Sequence, residues 1–241
     1  ACEDTRRTKK ILSALKISNK LMSFNEHNSL KKIPKIIEQL NFGYSIALVS
    51  DAGLPGICDP GENLVKATRL NGLETICIPG ACAALTALLA SGLPSSKFIF
   101  VGFLPNKRSA REEALQRISS SQETTILYES PHRLKKLLLE LKSFCGGDRK
   151  IHIARELTKK HEEHIGDDID NLIKFFDEKK IMGEFTLIIE GINLSQNKEF
   201  DEIKLKKELH ELIDAGLSLS SASKYLAKRE KLSKNIIYNL N

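Results

Sequence analysis

The chain has 241 residues, 41% hydrophobic and 28% charged, which is the balance of a folded globular protein of one or two domains rather than a disordered one. Thirty-seven Lys/Arg against 31 Asp/Glu leave a net charge of +6, which permits an RNA partner without requiring one. No run approaches the ~18 apolar residues of a membrane span, the first residues carry no apolar signal core, and the cysteines at 2, 58, 77, 82 and 145 form no C-x-x-C pair. They read as reduced thiols of a cytoplasmic protein, not as a disulfide or zinc framework.

Residues 1–93 hold 11 basic and 8 acidic residues, 94–193 hold 17 and 16, and 194–241 hold 9 and 7, so any RNA surface must be assembled by folding. Short β-branched runs predict strands at 45–49, 75–79, 98–101, 124–128, 150–154 and 185–190. Helical patterns lie near 29–41, 61–71, 81–91, 108–119, 132–143 and 168–180. In the first, Ile33, Ile36, Ile37 and Leu40 have the spacing of one helical face. This alternation predicts α/β architecture with mainly parallel sheets covered by helices. The turn-rich Gly92-Leu-Pro-Ser-Ser96 marks a domain boundary. The expected organisation is therefore an α/β domain over 1–93, a second over 94–194 and a helical tail over 195–241.

Chemistry concentrates at strand ends. Val49-Ser-Asp-Ala-Gly-Leu-Pro-Gly-Ile-Cys-Asp-Pro-Gly61 follows one predicted strand and precedes a helix, where open α/β sheets place ligands. Gly53 and Gly56 allow close backbone approach, though a plain crossover loop could use the same residues. Glu62 stands where a P-loop needs its Lys, and no G-x-G-x-x-G occurs, so neither a P-loop NTPase nor a typical dinucleotide enzyme fits. A second bend, Pro79-Gly-Ala-Cys-Ala-Ala-Leu85, opens a helix of small residues whose start suits a carboxylate; close helix–sheet packing is the plainer explanation. Further on come Tyr128-Glu-Ser-Pro-His-Arg133, Ile153-Ala-Arg-Glu-Leu-Thr-Lys159 and Gly183-Glu-Phe-Thr-Leu-Ile-Ile-Glu-Gly191. His161-Glu-Glu-His164 spaces its histidines three apart rather than four, so it reads as a solvated polar segment and no metal is expected.

Taken with Glu3-Asp-Thr-Arg6, Gly102-Phe-Leu-Pro105 and Asp59-Pro-Gly61, these blocks resemble, in order along residues 3–191, the ribosomal RNA small subunit methyltransferase I family, within the tetrapyrrole-methylase-like S-adenosylmethionine enzymes. The resemblance implies two α/β domains with S-adenosylmethionine held between them, a homodimer, and methylation of a cytidine 2′-hydroxyl in small-subunit (16S) RNA. It implies that Ser50, Asp51, Ala52, Gly53 and Pro55, with Pro79, Gly80, Ala81, Cys82 and Ala83, meet the methionine part of the cofactor. Tyr128, Phe185 and Thr186 would border its adenosine. Leu54 and Ala81 depart from the family's usual threonine and proline. The family also opens with a strand and a Pro-Ile-Gly-Asn turn before the Glu3 block, and the chain starts almost at that block, so weakened cofactor binding is expected.

A ribose hydroxyl needs alignment and a proton acceptor. Glu129 and Glu156, both at strand ends, are the candidates for acceptor. Arg6, Arg7, Lys107, Arg108, Arg111, Arg133 and Arg155 are candidates for RNA phosphates. In the tail, Ala215–Ala227 and Leu232–Tyr238 resemble a helix-turn-helix unit with Ala222, Tyr225 and Leu226 inward and Lys224, Lys228 and Lys231 outward, an RNA-touching or merely solvated face. The competing readings are methylation of a tetrapyrrole or other small metabolite, and a non-enzymatic RNA-binding module.

Overall fold

The computed structural model describes residues 1–177, 179–192, 202–230, 237, 238 and 240. These gather into two compact units, Ala1–Glu190 and Gly191–Asn241. The first unit runs α1 (Thr5–Ala14), α2 (Ser29–Asn41), α3 (Glu62–Leu70), α4 (Ala83–Ser91), β1 (Phe98–Phe103), α5 (Arg108–Ser120), β2 (Thr124–Glu129), α6 (Leu134–Cys145), β3 (Lys150–Arg155), β4 (Glu163–Asp168), α7 (Ile169–Asp177) and β5 (Phe185–Ile189). The second contains α8 (Glu202–Asp214) and α9 (Leu219–Glu230).

One five-stranded sheet, in the order β1-β2-β5-β3-β4, organises the first unit. Only β1 and β2 are parallel; β2/β5, β5/β3 and β3/β4 are antiparallel, so the expectation of mainly parallel sheets is corrected. The reason is local. β3 turns straight back into β4 through residues 156–162, a connection too short to carry a crossover helix. β5 is buried at every residue because both faces are covered. Phe185, Leu187 and Ile189 join Leu127, Ile151 and Ile153 under α5, α6 and α7. Ile188, Ile126 and Ala154 point the other way and pack on Ala84, Ala87 and Leu88 of α4. Period-two alternation therefore decides which residues reach the α4 face, where Tyr128, Thr186 and Ala154 stand side by side in register.

The predicted strands at 45–49 and 75–79 do not form. A strand needs a neighbour's hydrogen bonds. Among the described residues Val49 makes one isolated bridge, to Cys2, which also bridges Ser23, while 75–79 joins no ladder at all. Ile76 and Ile78 consequently stay 71% and 75% exposed despite strong strand propensity. A small core consists of Phe24, Ile36 and Leu64, with Ile33 and Leu40 packed against it; Ile33, Ile36 and Leu40 are three of the four residues expected on one face of α2, and Ile37 stands outside this cluster. In the second unit Leu205 and Leu209 of α8 pack on Ala222, Leu226 and Ala227 of α9 with Ile237 and Leu240.

Candidate active site

At the ends of β1 and β2 and the start of β5, a cavity of about 330 Å³ opens. Its walls come from four places: Ala52–Leu54 with Ile57–Asp59, Cys82–Ala83, Phe103 with Tyr128–Pro131, and Glu184–Thr186. The two glycine-bearing bends meet here. A Cβ placed on Gly53 would stand 3.7 Å from the Ala81 carbonyl oxygen. The sheet supplies the opposite wall because Tyr128 pairs with Thr186 and Glu129 with Phe185 across β2 and β5.

Tyr128 ties these walls together. Its hydroxyl accepts a hydrogen bond of 3.2 Å from the Ala84 N–H in the first turn of α4. Cys82, the N-cap residue, provides no side-chain cap of its own, so the phenol takes that role from across the cavity. Phe100 and Phe103 pack edge-on against the ring, at 5.2 and 5.7 Å between centroids. Burial, with Cys82 close by, pushes the phenol up to about 12, so it stays a neutral donor. Burial likewise raises the Cys58 thiol. It also raises the carboxyl of cavity-lining Asp59, which Glu3 and Asp51 reinforce as neighbouring negative charges.

Of the residues expected at a cofactor, Ala52, Gly53, Cys82, Ala83, Tyr128, Phe185 and Thr186 line the cavity. Ser50, Asp51, Pro55, Pro79, Gly80 and Ala81 do not. The Ser50 hydroxyl turns back on its own loop, to the carbonyls of Ala52 and Gly53. Asp51 accepts from the Asp4 N–H at 3.3 Å and faces Arg7 at 3.4 Å, so it binds the chain's first residues rather than the cavity. Leu54, Ile57, Cys58, Asp59, Phe103, Ser130, Pro131 and Glu184 line it as well, beyond the residues expected there. All sit inside the motif segments at strand ends and bends.

Both proposed proton acceptors are engaged in ion pairs. Glu129 has no side-chain exposure. Its Oε1 accepts from Arg133 Nε at 2.6 Å and the Ser130 N–H at 2.7 Å, while Oε2, 3.8 Å from Arg111, has no hydrogen-bond partner among the described residues. Glu156 lies off the cavity. Its carboxylate accepts from Lys159 and from the Glu184 N–H, each at 2.9 Å, and the Lys159 bond holds it below the ordinary range.

The basic candidates divide. Arg111 is removed from the RNA-facing set, because its side chain is buried and paired with Glu140 at 2.7 Å. Arg6 folds onto Asp4 and Arg7 onto Asp51. Arg155 donates to the Met182 carbonyl at 2.7 Å and to Glu163 at 3.2 Å. Exposed Lys107 and Arg108 begin α5, the latter bridged to Glu112, and Arg133 sits at the start of α6. In α9, Ala222 and Leu226 face inward as expected, but Tyr225 is 56% exposed beside Lys224 and Lys228. A helix carries three or four residues inward per two turns, and Ala222, Ser223, Leu226 and Ala227 already fill that stripe. Lys231 lies outside the described residues. The His161–His164 segment is polar and largely exposed, as expected of a solvated segment; His164 belongs to edge strand β4 and meets His152 at 3.1 Å and Glu162 at 3.0 Å. Among the described residues no group of three His, Cys, Asp or Glu is placed to hold a metal ion, and no helix is long and apolar enough to cross a membrane.

Residues 1–173 match the family described as Tetrapyrrole (Corrin/Porphyrin) Methylases. The chain is 42% identical over 240 residues, spanning all of it and 86% of the relative, to Ribosomal RNA small subunit methyltransferase I of Synechocystis sp. (strain ATCC 27184 / PCC 6803 / Kazusa). It is 42% identical over 246 residues, 99% of this chain and 83% of the relative, to the protein of that name from Bacillus subtilis (strain 168). Among solved structures, the cobalamin biosynthetic enzyme cobalt precorrin-4 methyltransferase, CbiF, aligns with a TM-score of 0.57 at 12% identity. That alignment covers 78% of this chain and 82% of the other, a likeness of fold alone.

Proposed function

The chain belongs to the tetrapyrrole methylase family and to its ribosomal RNA small subunit methyltransferase I branch, and from that premise we propose that it methylates small-subunit ribosomal RNA, at the 2′-hydroxyl of a cytidine, using S-adenosylmethionine. The observation that carries the reading is the cavity itself, walled by both glycine-bearing bends and by Tyr128, Phe185 and Thr186, in a chain that matches relatives of that name over its whole length. The reading keeps 1–93 and 94–194 as two domains flanking the cavity, with 195–241 as a helical appendage. A homodimer is part of it, supported by the edge strand β1, where Phe98, Ile99 and Val101 are exposed.

The residues present fit the cofactor. Ala83, at the first turn of α4, and the Ala52–Gly53 bend offer backbone to the amino-acid end, with the helix dipole favouring a carboxylate. Phe103, Tyr128 and Phe185 offer apolar and aromatic surface to a base. When bound, the cofactor supplies an activated sulfonium methyl. The chain's own part is to hold the ribose oxygen in line and accept its proton. We assign that acceptance to Asp59 in place of the ion-paired Glu129 and Glu156, since it lines the cavity and burial, with Glu3 nearby, raises its carboxyl above the ordinary carboxylate value.

The test is transfer of tritiated methyl groups to 30S particles from a strain lacking this activity, followed by nucleoside mapping. Labelled 2′-O-methylcytidine is expected, with Asp59→Asn lowering kcat and leaving KM nearly unchanged. Label in a base, label only in a tetrapyrrole, or no transfer at all would overturn the proposal.

A further inference from the structure

We propose that Arg133 forms a phosphodiester-binding subsite beside the cavity and that buried Glu129 is its positioning residue; this rests on the RNA reading above. Arg133 follows directly on the cavity-lining Glu129–Pro131 segment, two residues past Pro131. Its guanidinium is pinned twice: Nε donates to Glu129 Oε1 at 2.6 Å, and Nη1 donates to Asn106 Oδ1 at 2.6 Å. Those two bonds use two of five N–H groups. A guanidinium serving only to neutralise Glu129 would be buried with it, yet the Arg133 side chain is 31% exposed while the Glu129 side chain is 0% exposed.

The surroundings keep this fork attractive to an anion. Glu129 and Glu140 face three cations, Arg111, Arg133 and Lys136, so one positive charge is left over. Exposed Lys107 adjoins Asn106, the second anchor of Arg133, and Arg108 follows it. The carboxylate sits on the inner side and the guanidinium on the outer, an arrangement that fixes the fork before a ligand arrives and lowers the entropy lost on binding. A planar fork with spare N–H groups matches two oxygens of one phosphate, which a lysine ammonium could not reproduce.

The experiment measures binding of the full chain to 30S particles between 50 and 200 mM KCl, with S-adenosylhomocysteine affinity followed separately by calorimetry. Arg133→Ala should weaken 30S binding and lower the slope of log affinity against log salt by about 0.9, the share of one phosphate contact. Arg133→Lys should keep the slope and lose affinity. Glu129→Gln should also keep the slope while weakening binding and raising KM more than it lowers kcat. In both Arg133 variants S-adenosylhomocysteine affinity should match the parent's. An Arg133→Ala protein that melts like the parent and keeps both affinity and slope overturns the subsite. A Glu129→Gln protein that binds normally and loses kcat alone overturns the positioning role. Should Glu129→Gln fail to fold, the two Arg133 variants decide. Failure of the parent chain to bind 30S particles would instead sink the RNA reading itself.

Discussion

Gly102→Ala probes whether the 50–60 bend really packs against β1. Gly102 sits at an irregularity of that strand, where the register with β2 shifts, and its φ of +70° lies in the left-handed region. Alanine there costs about 1–2 kcal/mol in backbone strain. The new Cβ would also stand 2.7 Å from Cys58 Sγ, far inside contact distance, adding about 1–3 kcal/mol unless the thiol can turn away. Together these predict a loss of roughly 2–5 kcal/mol, a fall in Tm of roughly 4–20 °C for a unit of this size. The two terms separate in a double-mutant cycle. Cys58→Ala removes the obstructing sulfur, so Gly102→Ala in that background should cost only the backbone share of about 1–2 kcal/mol. Urea unfolding of the four proteins reads the coupling directly. Additive losses, within about 0.5 kcal/mol, would mean that Cys58 does not meet Gly102, and one wall of the cavity would be misplaced with it.

Tyr128→Phe keeps the aromatic cluster but strands the Ala84 N–H, which should cost about 1–3 kcal/mol and weaken S-adenosylhomocysteine binding in calorimetry; an unchanged melt and affinity would show that the phenol does not cap α4. Stability should also fall as pH drops below about 6.5. Burial, then the His164 charge, lowers the His152 pKa in the folded protein, so the unfolded chain takes up that proton first. The contribution is fully present above the unfolded value and disappears as pH falls through the folded one. Urea midpoints at pH 7.5 and 5.5 measure it, and His152→Gln should flatten the difference; an equal decline in both proteins would refute the linkage.

The sheet from 98 to 189 was legible because each strand carries its own evidence: β-branched runs whose alternating residues find a covered face. β4 escaped notice since Glu163, His164, Gly166, Asp167 and Asp168 leave Ile165 alone to signal an edge strand. α1 escaped because none of its residues is buried, and its one clear mark is Asp4 accepting from the Arg6 N–H. The runs at 45–49 and 75–79 misled in the opposite sense. Propensity measures how a residue suits a ladder and says nothing about whether a ladder stands beside it. At the site, the meeting of the two bends with Tyr128 and Thr186 followed from their places at element ends. The fates of Asp51, Glu129 and Arg111 did not, since charged residues at strand ends serve ion pairs as readily as ligands.

That distinction matters for reading the cavity. Its sheet side, Phe103, Tyr128, Phe185 and Thr186, is held by ladder bonds and by two apolar cores, and Glu129 fastens the following turn to α5 and α6 through Arg111, Arg133 and Glu140. The opposite side, Ala52–Asp59 and Cys82–Ala83, rests on bends, on the Tyr128–Ala84 bond and on the contact of Cys58 with β1. The rigid half thus contains the aromatic surface, while the softer half contains the backbone and the carboxylate Asp59. A ligand bridging both would order the second half against the first. Binding would then depend as much on Tyr128 and Cys58, which join the halves, as on any group that touches the ligand directly.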